Sequence, residues 1–471
     1  MGEDLTDGDV IGGDVIGGDV TGRDPTGREM TGLVIDHDQP RGHSRPLKLT
    51  VAQELVDDCV HCGFCLPACP TYLLWGEEMD SPRGRIHLFD QVLSGSPIEG
   101  APAKHFDRCL SCMACVSACP SGVRYGEIIE MAREEVEQSG DRPRSERLAR
   151  SAIFALFPYP RRLRAARAAL AVSESIGLRA ALRRPKVAAR MPPLVRAMES
   201  VAPDISKIEA LPAQTPASGP RRGTVGLLAG CVQSVFFSRT NAATARILAA
   251  EGFEVVVPKE QVCCGALSWH AGRQKEAARL ARRTVAAFKA AGVELVVINA
   301  AGCGSAMKEY SRLLSDDPRC AGDAEWLTAR ARDLSELLAS VAPRAERHPV
   351  PMKVAYHDAC HLAHAQGIRA QPRALLEAIP GLQLYEIPDE FCCGSAGIYN
   401  LVQPDAAREL GDRKAAAVIA SGAELVVTTN PGCLMQIRSA LERAGSKIGT
   451  AHLAEILDTS ITGRPRAGGP V

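Results

Sequence analysis

Two cysteine runs hold the residues of this sequence whose types and spacing are most specific for chemistry. The first extends from Cys59 to Pro70 and the second from Cys109 to Pro120, and each has the spacing C-x2-C-x2-C-x3-C-P. Three thiolates at this spacing can bind one face of an iron–sulfur cube, and the fourth thiolate lies beyond the turn. Where two such runs occur in one protein, the fourth cysteine serves the cluster of the other run. The spacing therefore predicts two [4Fe–4S] clusters.

This exchange of the fourth ligand divides the eight cysteines into two sets. The expected ligands are Cys59, Cys62, Cys65 and Cys119 for cluster 1, and Cys109, Cys112, Cys115 and Cys69 for cluster 2. Structural zinc prefers two separated cysteine pairs, and disulfide frameworks are typical of short secreted chains, so both alternatives fit less well. His61 and His105 are expected to lie around the clusters or at the surface, because the cysteines already complete both sets.

A second group of cysteines occurs twice in the C-terminal half, at an offset of 129 residues for its first two parts and 130 for its third. The members are Cys231, Cys263, Cys264 and Cys303 in the first copy, and Cys360, Cys392, Cys393 and Cys433 in the second. Four thiolates suffice for a metal or iron–sulfur centre in each copy, and a redox-active or zinc-binding thiol group is the open alternative. Glycine follows each adjacent pair, which we ascribe to close approach between the backbone and an inorganic sulfide. Cys320 belongs to neither copy and is interpreted as a spare thiol.

The elements that position the first group of cysteines are predicted to be helices. The apolar residues of 83–93 and 126–138 recur at helical spacing, and Gly140 follows the second stretch. We therefore expect an α-helical two-cluster ferredoxin-like domain over residues 47–140.

Each copy of the second group alternates short Val-rich strands with Ala-rich helices. In the first copy the pattern predicts a strand at 254–257, a helix at 272–291 and a strand at 294–298. Such alternation is typical of an α/β fold with a mainly parallel sheet, whose ligand loops follow the strands. We place module 1 at residues 222–348 and module 2 at residues 349–462.

The remaining segments flank or connect these domains. Residues 1–46 contain a five-residue Gly/Asp-rich repeat that is too poor in large apolar side chains to fold, and its period differs from that of a calcium-binding β-roll. Residues 141–221 are predicted to form a basic helical segment and a proline-rich linker. Within them, 142–196 carries 14 Lys/Arg against two acidic residues, which predicts a solvated linker or docking to anionic lipid or an acidic partner. Residues 463–471 form a tail.

Composition narrows the classes of function. The 471 residues are 46% hydrophobic and carry a net charge of +0, which indicates a globular protein and argues against a general nucleic-acid binder. Seventeen cysteines without a recognisable signal peptide predict metal ligands kept reduced in the cytoplasm. No apolar run reaches the roughly 18 residues that cross a bilayer, so peripheral attachment to the inner face of the cell membrane is the open alternative.

At several separate points the sequence resembles the iron–sulfur subunits of glycolate oxidase (glycolate dehydrogenase). Its duplicated modules resemble the cysteine-rich CCG domain of heterodisulfide reductases, anaerobic glycerol-3-phosphate dehydrogenase and lactate-utilisation proteins. The stretches that carry the resemblance are DDCVHCGFCLPACPTY, SPRGRI, CPSGVRYGEIIE, GCVQ, CCGAL, AGCG, HDACHL and CCGSAG, within about residues 47–460. In heterodisulfide-reductase relatives the module ends in C-x2-C, but here Ala300 and Asn430 stand three residues before Cys303 and Cys433. This departure argues against disulfide-reducing chemistry.

The resemblance implies an electron-transfer subunit of a flavin-dependent 2-hydroxy acid (glycolate) dehydrogenase complex. Its expected partners are FAD-binding subunits of the same complex and a quinone or other electron acceptor. No G-x-G-x-x-G fingerprint follows a predicted strand, so no FAD is expected on this chain and no catalytic residue for the hydroxy acid is assigned. The alternatives are a subunit of a lactate or glycerol-3-phosphate dehydrogenase, a thiol–disulfide reductase acting through the modules, and a scaffold stabilised by its clusters.

Overall fold

The computed structural model describes residues 45–203, 205, 208–388 and 391–464. The predictions for the N-terminal repeat and for most of the tail fall outside these ranges. Contacts divide the chain into residues 1–48, of which 45–48 are described, and a compact unit of Leu49–Val471.

Six helices form the ferredoxin-like domain, and its described residues contain no strand. The helices are α1 (Arg45–Asp57), α2 (Pro70–Trp75), α3 (Pro82–Leu93), α4 (Ala101–Arg108), α5 (Ala114–Ser117) and α6 (Tyr125–Ser139), with a 3₁₀ turn at Glu78–Asp80. Their apolar faces meet around Phe89 and Phe106, whose ring centroids lie 6.2 Å apart. The predicted helices at 83–93 and 126–138 are α3 and α6, and Gly140 caps α6 with a φ of 70°. The prediction of an α-helical domain is confirmed.

The basic segment is helical throughout most of its described length. Its helices are α7 (Arg144–Leu156), α8 (Pro160–Ser175), α9 (Leu178–Leu182), α10 (Pro185–Ala188) and α11 (Pro193–Val201). Two of its arginines are buried rather than solvated. The guanidinium of Arg150 lies 2.9 Å from the Glu146 carboxylate and 3.2 Å from that of Asp107 on α4, and the guanidinium of Arg179 lies 3.0 Å from the Glu199 carboxylate. Arg150 therefore ties the segment to the ferredoxin-like domain, and Arg179 joins two helices of the segment.

Module 1 is a five-stranded sheet covered by helices. Its strands are β1 (Gln214–Thr215), β2 (Gly223–Leu227), β3 (Phe253–Val256), β4 (Leu295–Ile298) and β5 (Ala331–Asp333). Its helices are α12 (Val232–Phe236), α13 (Ser238–Ala250), α14 (Ala266–Trp269), α15 (Gln274–Ala290), α16 (Ala301–Met307), α17 (Tyr310–Leu313), α18 (Ala321–Arg330) and α19 (Leu334–Ala339). The strand order is β1-β3-β2-β4-β5, and every pair except β1–β3 is parallel. The predicted helix at 272–291 begins two residues later, because Gly272 has a left-handed φ of 82°.

Module 2 repeats this plan with a four-stranded parallel sheet. Its strands are β6 (Met352–Tyr356), β7 (Leu382–Tyr385), β8 (Leu425–Thr428) and β9 (Gly449–His452). Its helices are α20 (Cys360–Ala363), α21 (Ala370–Glu377), α22 (Tyr399–Val402), α23 (Pro404–Ala420), α24 (Pro431–Arg443) and α25 (Leu453–Thr462). The strand order β7-β6-β8-β9 matches β3-β2-β4-β5 of module 1. The predicted duplication of an α/β module is confirmed.

The ferredoxin-like domain packs against both modules. The guanidinium of Arg133 on α6 donates to the His270 carbonyl of module 1 at 2.8 Å. The imidazole of His361 in module 2 lies 2.8 Å from the Ser111 carbonyl. The second cysteine run, which contains Ser111, is therefore held between the two sheets.

Candidate metal centres

The first set of cysteines encloses a small pocket at the surface. The pocket is lined by Cys59, Cys62, Cys65 and Cys119 together with Cys115. The loop that carries the first three thiols turns through two left-handed residues, His61 at a φ of 52° and Gly63 at 87°. Beside the pocket, Val60 and Phe64 expose 68% and 65% of their surface. This cysteine set thus lies where another protein can approach it.

The second set of cysteines encloses a separate, buried pocket. The pocket is lined by Cys69, Cys109, Cys112 and Cys115. The structure therefore brings the fourth cysteine of the first run to the second run, which is the arrangement that a shared pair of cubes needs. The chain does not fold each run around its own four thiols.

Two buried arginines give the second set a positive surrounding. Burial by itself raises the pKa of the Cys109 thiol, but the guanidinium groups of Arg85 and Arg133 bring that pKa below its usual value. The hydroxyl of Tyr125 donates to the Cys109 sulfur at 3.6 Å. Positive charge and hydrogen bonds to sulfur both favour the thiolate form that binds iron, and both tune cluster potential.

A buried ionic network supports the helix that carries Arg85. The Asp80 carboxylate is fully buried and lies 3.3 Å from the Arg85 guanidinium, 2.9 Å from His105 and 2.6 Å from Arg108. The Asp80 carbonyl also accepts from the Cys69 thiol at 3.6 Å. His105 is therefore buried beside the second cysteine set as a partner of Asp80. His61 lies instead on the exposed loop of the first cysteine set, where its carbonyl accepts from Arg83.

In module 1 the four predicted thiols form one continuous group. Cys231, Cys263, Cys264 and Cys303 make successive side-chain contacts in this order. The glycine after the pair also packs against a helix. Gly265 has a φ of 83°, and a Cβ atom there would lie 3.1 Å from the Ala277 carbonyl of α15. The backbone approaches a helix at this point, so packing within the module already requires the glycine.

Module 2 has the same chain of contacts from Cys360 through Cys392 and Cys393 to Cys433. Its glycine is packed even more tightly, because a Cβ atom at Gly394 would lie 2.7 Å from a helical carbonyl. A buried histidine joins the thiols here: the ligand atoms of His357, Cys393 and Cys433 all lie within 4.8 Å of one another. Burial and the Lys414 ammonium hold the pKa of His357 well below its usual value, so the imidazole is neutral.

One cavity connects these groups. It has a volume of about 220 Å³, and all eight module thiols line it together with Cys109 and Cys112. Cys112 packs in the same apolar cluster as Cys360 and Cys392. Burial, followed by the proximity of Cys360, raises the pKa of the Cys112 thiol well above its usual value. Thus a ferredoxin-type cysteine adjoins the thiols of module 2 directly. Cys320 is not among the cavity-lining residues of the described ranges.

Two histidines meet at the wall of this cavity. The rings of His270 and His361 cross with centroids 4.9 Å apart, and His270 lies 3.0 Å from the Glu130 carboxylate. Burial, and then the neighbouring His270, lower the pKa of His361 to about 4. Burial opposes ionisation of Glu130, but hydrogen bonding to His270 and the Arg312 guanidinium bring its pKa below the usual value.

Sequence reasoning did not find His357, His270 or Lys414. None of them has the spacing of a known metal-ligand motif. Comparing the two copies position by position was a usable signal, because His357 stands where module 1 has Leu228.

Comparison with known families assigns the chain first to the iron–sulfur proteins. A 4Fe-4S dicluster domain model matches residues 55–123, and a cysteine-rich domain (CCG) model matches 225–308 and 354–438. The model of the glycolate oxidase iron-sulfur subunit linker region matches residues 145–202. The matches indicate iron–sulfur clusters and coincide with the cysteine sets described above.

Full-length relatives make the assignment more specific. The probable glycolate oxidase iron-sulfur subunit of Bacillus subtilis is 38% identical over 416 residues, which cover 85% of this chain and 93% of that protein. The glycolate oxidase iron-sulfur subunit of Escherichia coli is 36% identical over 438 residues, which cover 90% and 98%. Lactate utilization protein A of Halalkalibacterium halodurans is 32% identical over 236 residues, which cover 50% of this chain and 96% of the relative. The chain belongs to the family of glycolate oxidase iron–sulfur subunits.

In the part of the chain that the structure describes, no helix is long and apolar enough to cross a membrane.

Proposed function

We propose that this chain is the electron-transfer subunit of a flavin-dependent glycolate dehydrogenase complex in the cytoplasm. It would accept electrons from FAD on a partner subunit and deliver them to a quinone or another acceptor. The names of the full-length relatives support the complex and its substrate. The arrangement of cysteines supports the role, because it forms a connected series from an exposed pocket to a buried cavity.

The eight cysteines of the ferredoxin-like domain are the proposed ligands of two [4Fe–4S] clusters. The composition of the two pockets supports the crossed sets, with Cys119 beside Cys59 and Cys69 beside Cys109. A [4Fe–4S] cluster supplies one-electron transfer when bound. The proposed domains are the ferredoxin-like domain at residues 47–140 and the modules at 222–348 and 349–462.

The eight module thiols are proposed to hold further iron–sulfur or metal centres. Soft thiolates select such centres, and these thiols are mostly buried and in mutual contact. The single observation that carries an electron-transfer role for the modules is the packing of Cys112 against Cys360 and Cys392. A redox group bound by Cys112 would be a neighbour of one bound in module 2.

The exposed pocket of cluster 1 is the proposed entry point for electrons from the flavin subunit. Val60 and Phe64 offer apolar contact area beside thiols that are partly open to solvent.

The basic segment is the proposed contact with a membrane surface. Its residues Val172, Ile176 and Leu178 expose 60%, 69% and 44% of their surface. Apolar side chains among arginines are typical of contact with an anionic membrane surface, where a quinone would be reached.

The test uses the assembled complex with paired cysteine substitutions. Replacing Cys263 and Cys264, or Cys392 and Cys393, by serine removes soft ligands at nearly constant size. Glycolate oxidation with a dye that accepts directly from flavin should persist, whereas quinone-linked turnover should fall at least tenfold. Spectra of the two ferredoxin-type clusters should be unchanged. Full quinone reduction in both double variants would contradict a role of the modules in the electron path.

Substrate identity needs a separate comparison, because the half-length relatives are lactate utilization proteins. The purified complex should turn over glycolate with a higher kcat/KM than D-lactate or glycerol 3-phosphate. Preference for either of the others would reassign the complex while leaving the electron-transfer role intact. Reduction of a disulfide substrate by the isolated chain would favour the thiol–disulfide reductase instead.

A further inference from the structure

The two modules share a strand end before their first cysteine but differ in the side chain at that strand end. Leu228 precedes Cys231 by three residues, and His357 precedes Cys360 by three. The two positions are equivalent in the fold: the Leu228 amide donates to the Val297 carbonyl at 3.0 Å, and the His357 amide donates to Val427 at 2.8 Å. The exchange of leucine for histidine therefore changes the chemistry at an equivalent position of the sheet.

The His357 imidazole is placed as a metal ligand would be. Its side chain is 97% buried, and its Nε2 atom has no hydrogen-bond partner. Leaving such a nitrogen unsatisfied inside a protein costs free energy, so it calls for a partner. The thiols of Cys393 and Cys433 lie within 4.8 Å of the imidazole and of each other. Within the described residues, module 1 has no comparable group of three donors.

A second difference between the modules places a positive charge near the thiols of module 2. Lys414 on α23 is buried and stands where α15 of module 1 has Thr284. Its ammonium lies 4.8 Å from the centre of the Phe391 ring and is close enough to affect Cys360 and His357 electrostatically. In module 1, the uncharged Thr284 hydroxyl donates to the carbonyl of Cys263 at 3.5 Å.

We propose that His357 is a nitrogen ligand of the metal centre in module 2, whereas module 1 binds its centre through thiolates alone. This inference rests on the proposed function in so far as the module thiols hold a metal. An imidazole brings no negative charge to a centre, and the nearby Lys414 ammonium stabilises the reduced form. A thiolate at position 357 would add a negative charge and lower the potential. With the same number of thiolates as module 1 and a buried ammonium beside them, module 2 is the more oxidising of the two centres, and it is the one that adjoins Cys112.

The experiment compares the full-length chain, labelled with ¹⁵N-histidine, with His357→Cys, His357→Leu and Leu228→Met. Leu228→Met is the matched control, because it alters the equivalent buried position without changing any donor. Pulsed electron paramagnetic resonance should detect a histidine nitrogen coupled to a paramagnetic centre in the wild type and in Leu228→Met. The coupling should disappear in His357→Cys at unchanged iron content, and one reduction potential should shift to a lower value. His357→Leu should lose metal from module 2.

The remaining outcomes contradict either the assignment of His357 as a ligand or the proposed function. Coupling that persists in His357→Cys, or is absent from the wild type, overturns the ligand assignment. Iron content that is unchanged in the Cys392→Ser/Cys393→Ser variant shows instead that module 2 holds no iron centre, which contradicts the proposed function. Zinc at this site would also contradict the redox role, and retention of that zinc in His357→Leu would overturn the ligand assignment.

Discussion

The stability of cluster 2 should depend on one carboxylate that binds no metal in our assignment. The Asp80 side chain has no exposed surface and is the counter-charge of Arg85, which is 1% exposed. Asp80→Asn keeps the size of the side chain but leaves the Arg85 guanidinium without its counter-charge. Removing one partner of a buried ion pair costs about 3–5 kcal/mol.

This free-energy cost should appear as a faster release of iron. If iron is lost through local opening of the ferredoxin-like domain, the population of the open form should rise by roughly 10²–10³-fold or more. Release of iron to a ferrous chelator under anaerobic conditions follows that population when closing is faster than capture. Absorbance of the chelate measures the rate directly on the purified holoprotein.

A matched exposed ion pair supplies the control. Glu409 and Arg413 form an ion pair in which the side chains are 54% and 43% exposed. Such pairs contribute about 0.2–1 kcal/mol, so Glu409→Gln should change iron release less than about fivefold. If Asp80→Asn released iron no faster than Glu409→Gln, the buried network would not stabilise the cluster domain, and this reasoning would be refuted.

Three further predictions concern the rest of the chain. Gly272→Ala should loosen α6 from module 1, because the new Cβ would lie 2.2 Å from the Arg133 carbonyl, and faster amide exchange around Arg133 would show this. Gly292→Ala is the control: a Cβ there has no atom within 4 Å, so the substitution should cost only about 1–2 kcal/mol of backbone strain. Asp333 is buried with an unpaired Oδ2, and burial raises its pKa to about 6. Its protonated form therefore contributes about 3 kcal/mol to the free energy of unfolding, and this contribution is lost as pH rises from about 4 through 6. Denaturant titrations of Asp333→Asn should lack this loss. Sedimentation of the chain with anionic vesicles should fall severalfold between low and high salt, because exposed charges are screened beyond roughly 8–10 Å. Arg161→Gln/Arg164→Gln should also weaken it. Salt-independent binding would contradict an electrostatic contact.

The features that were predictable from sequence are those fixed by local spacing. The cysteine runs, helices α3 and α6, and the duplicated strand–helix alternation each depend on residues close together in the chain. The strand predicted at 254–257 lies one residue earlier, at Phe253–Val256, where it pairs with β2.

The remaining features depend on packing between distant segments. Nothing near Cys112 indicates that it contacts Cys360 and Cys392, which belong to module 2. The packing of Gly265 against helix α15 could not be foreseen either, because only the fold determines the position of that helix. His357 begins the stretch HDACHL, which carries part of the family resemblance, but it was not assigned as a ligand because its distance from Cys393 and Cys433 depends on the fold.

The seating of the second cysteine run between the two sheets also sets an order of biogenesis. Ser111, within that run, is covered by His361, and 250 residues of chain separate the two. A ribosome adding about 5–20 residues per second would expose the ferredoxin-type thiols for roughly 12–50 s before their cover is synthesised. The thiols of the second cysteine set are therefore most accessible to incoming iron and sulfide during translation. After module 2 closes over Cys112, a vacant site could be repaired only through opening of the domain interface.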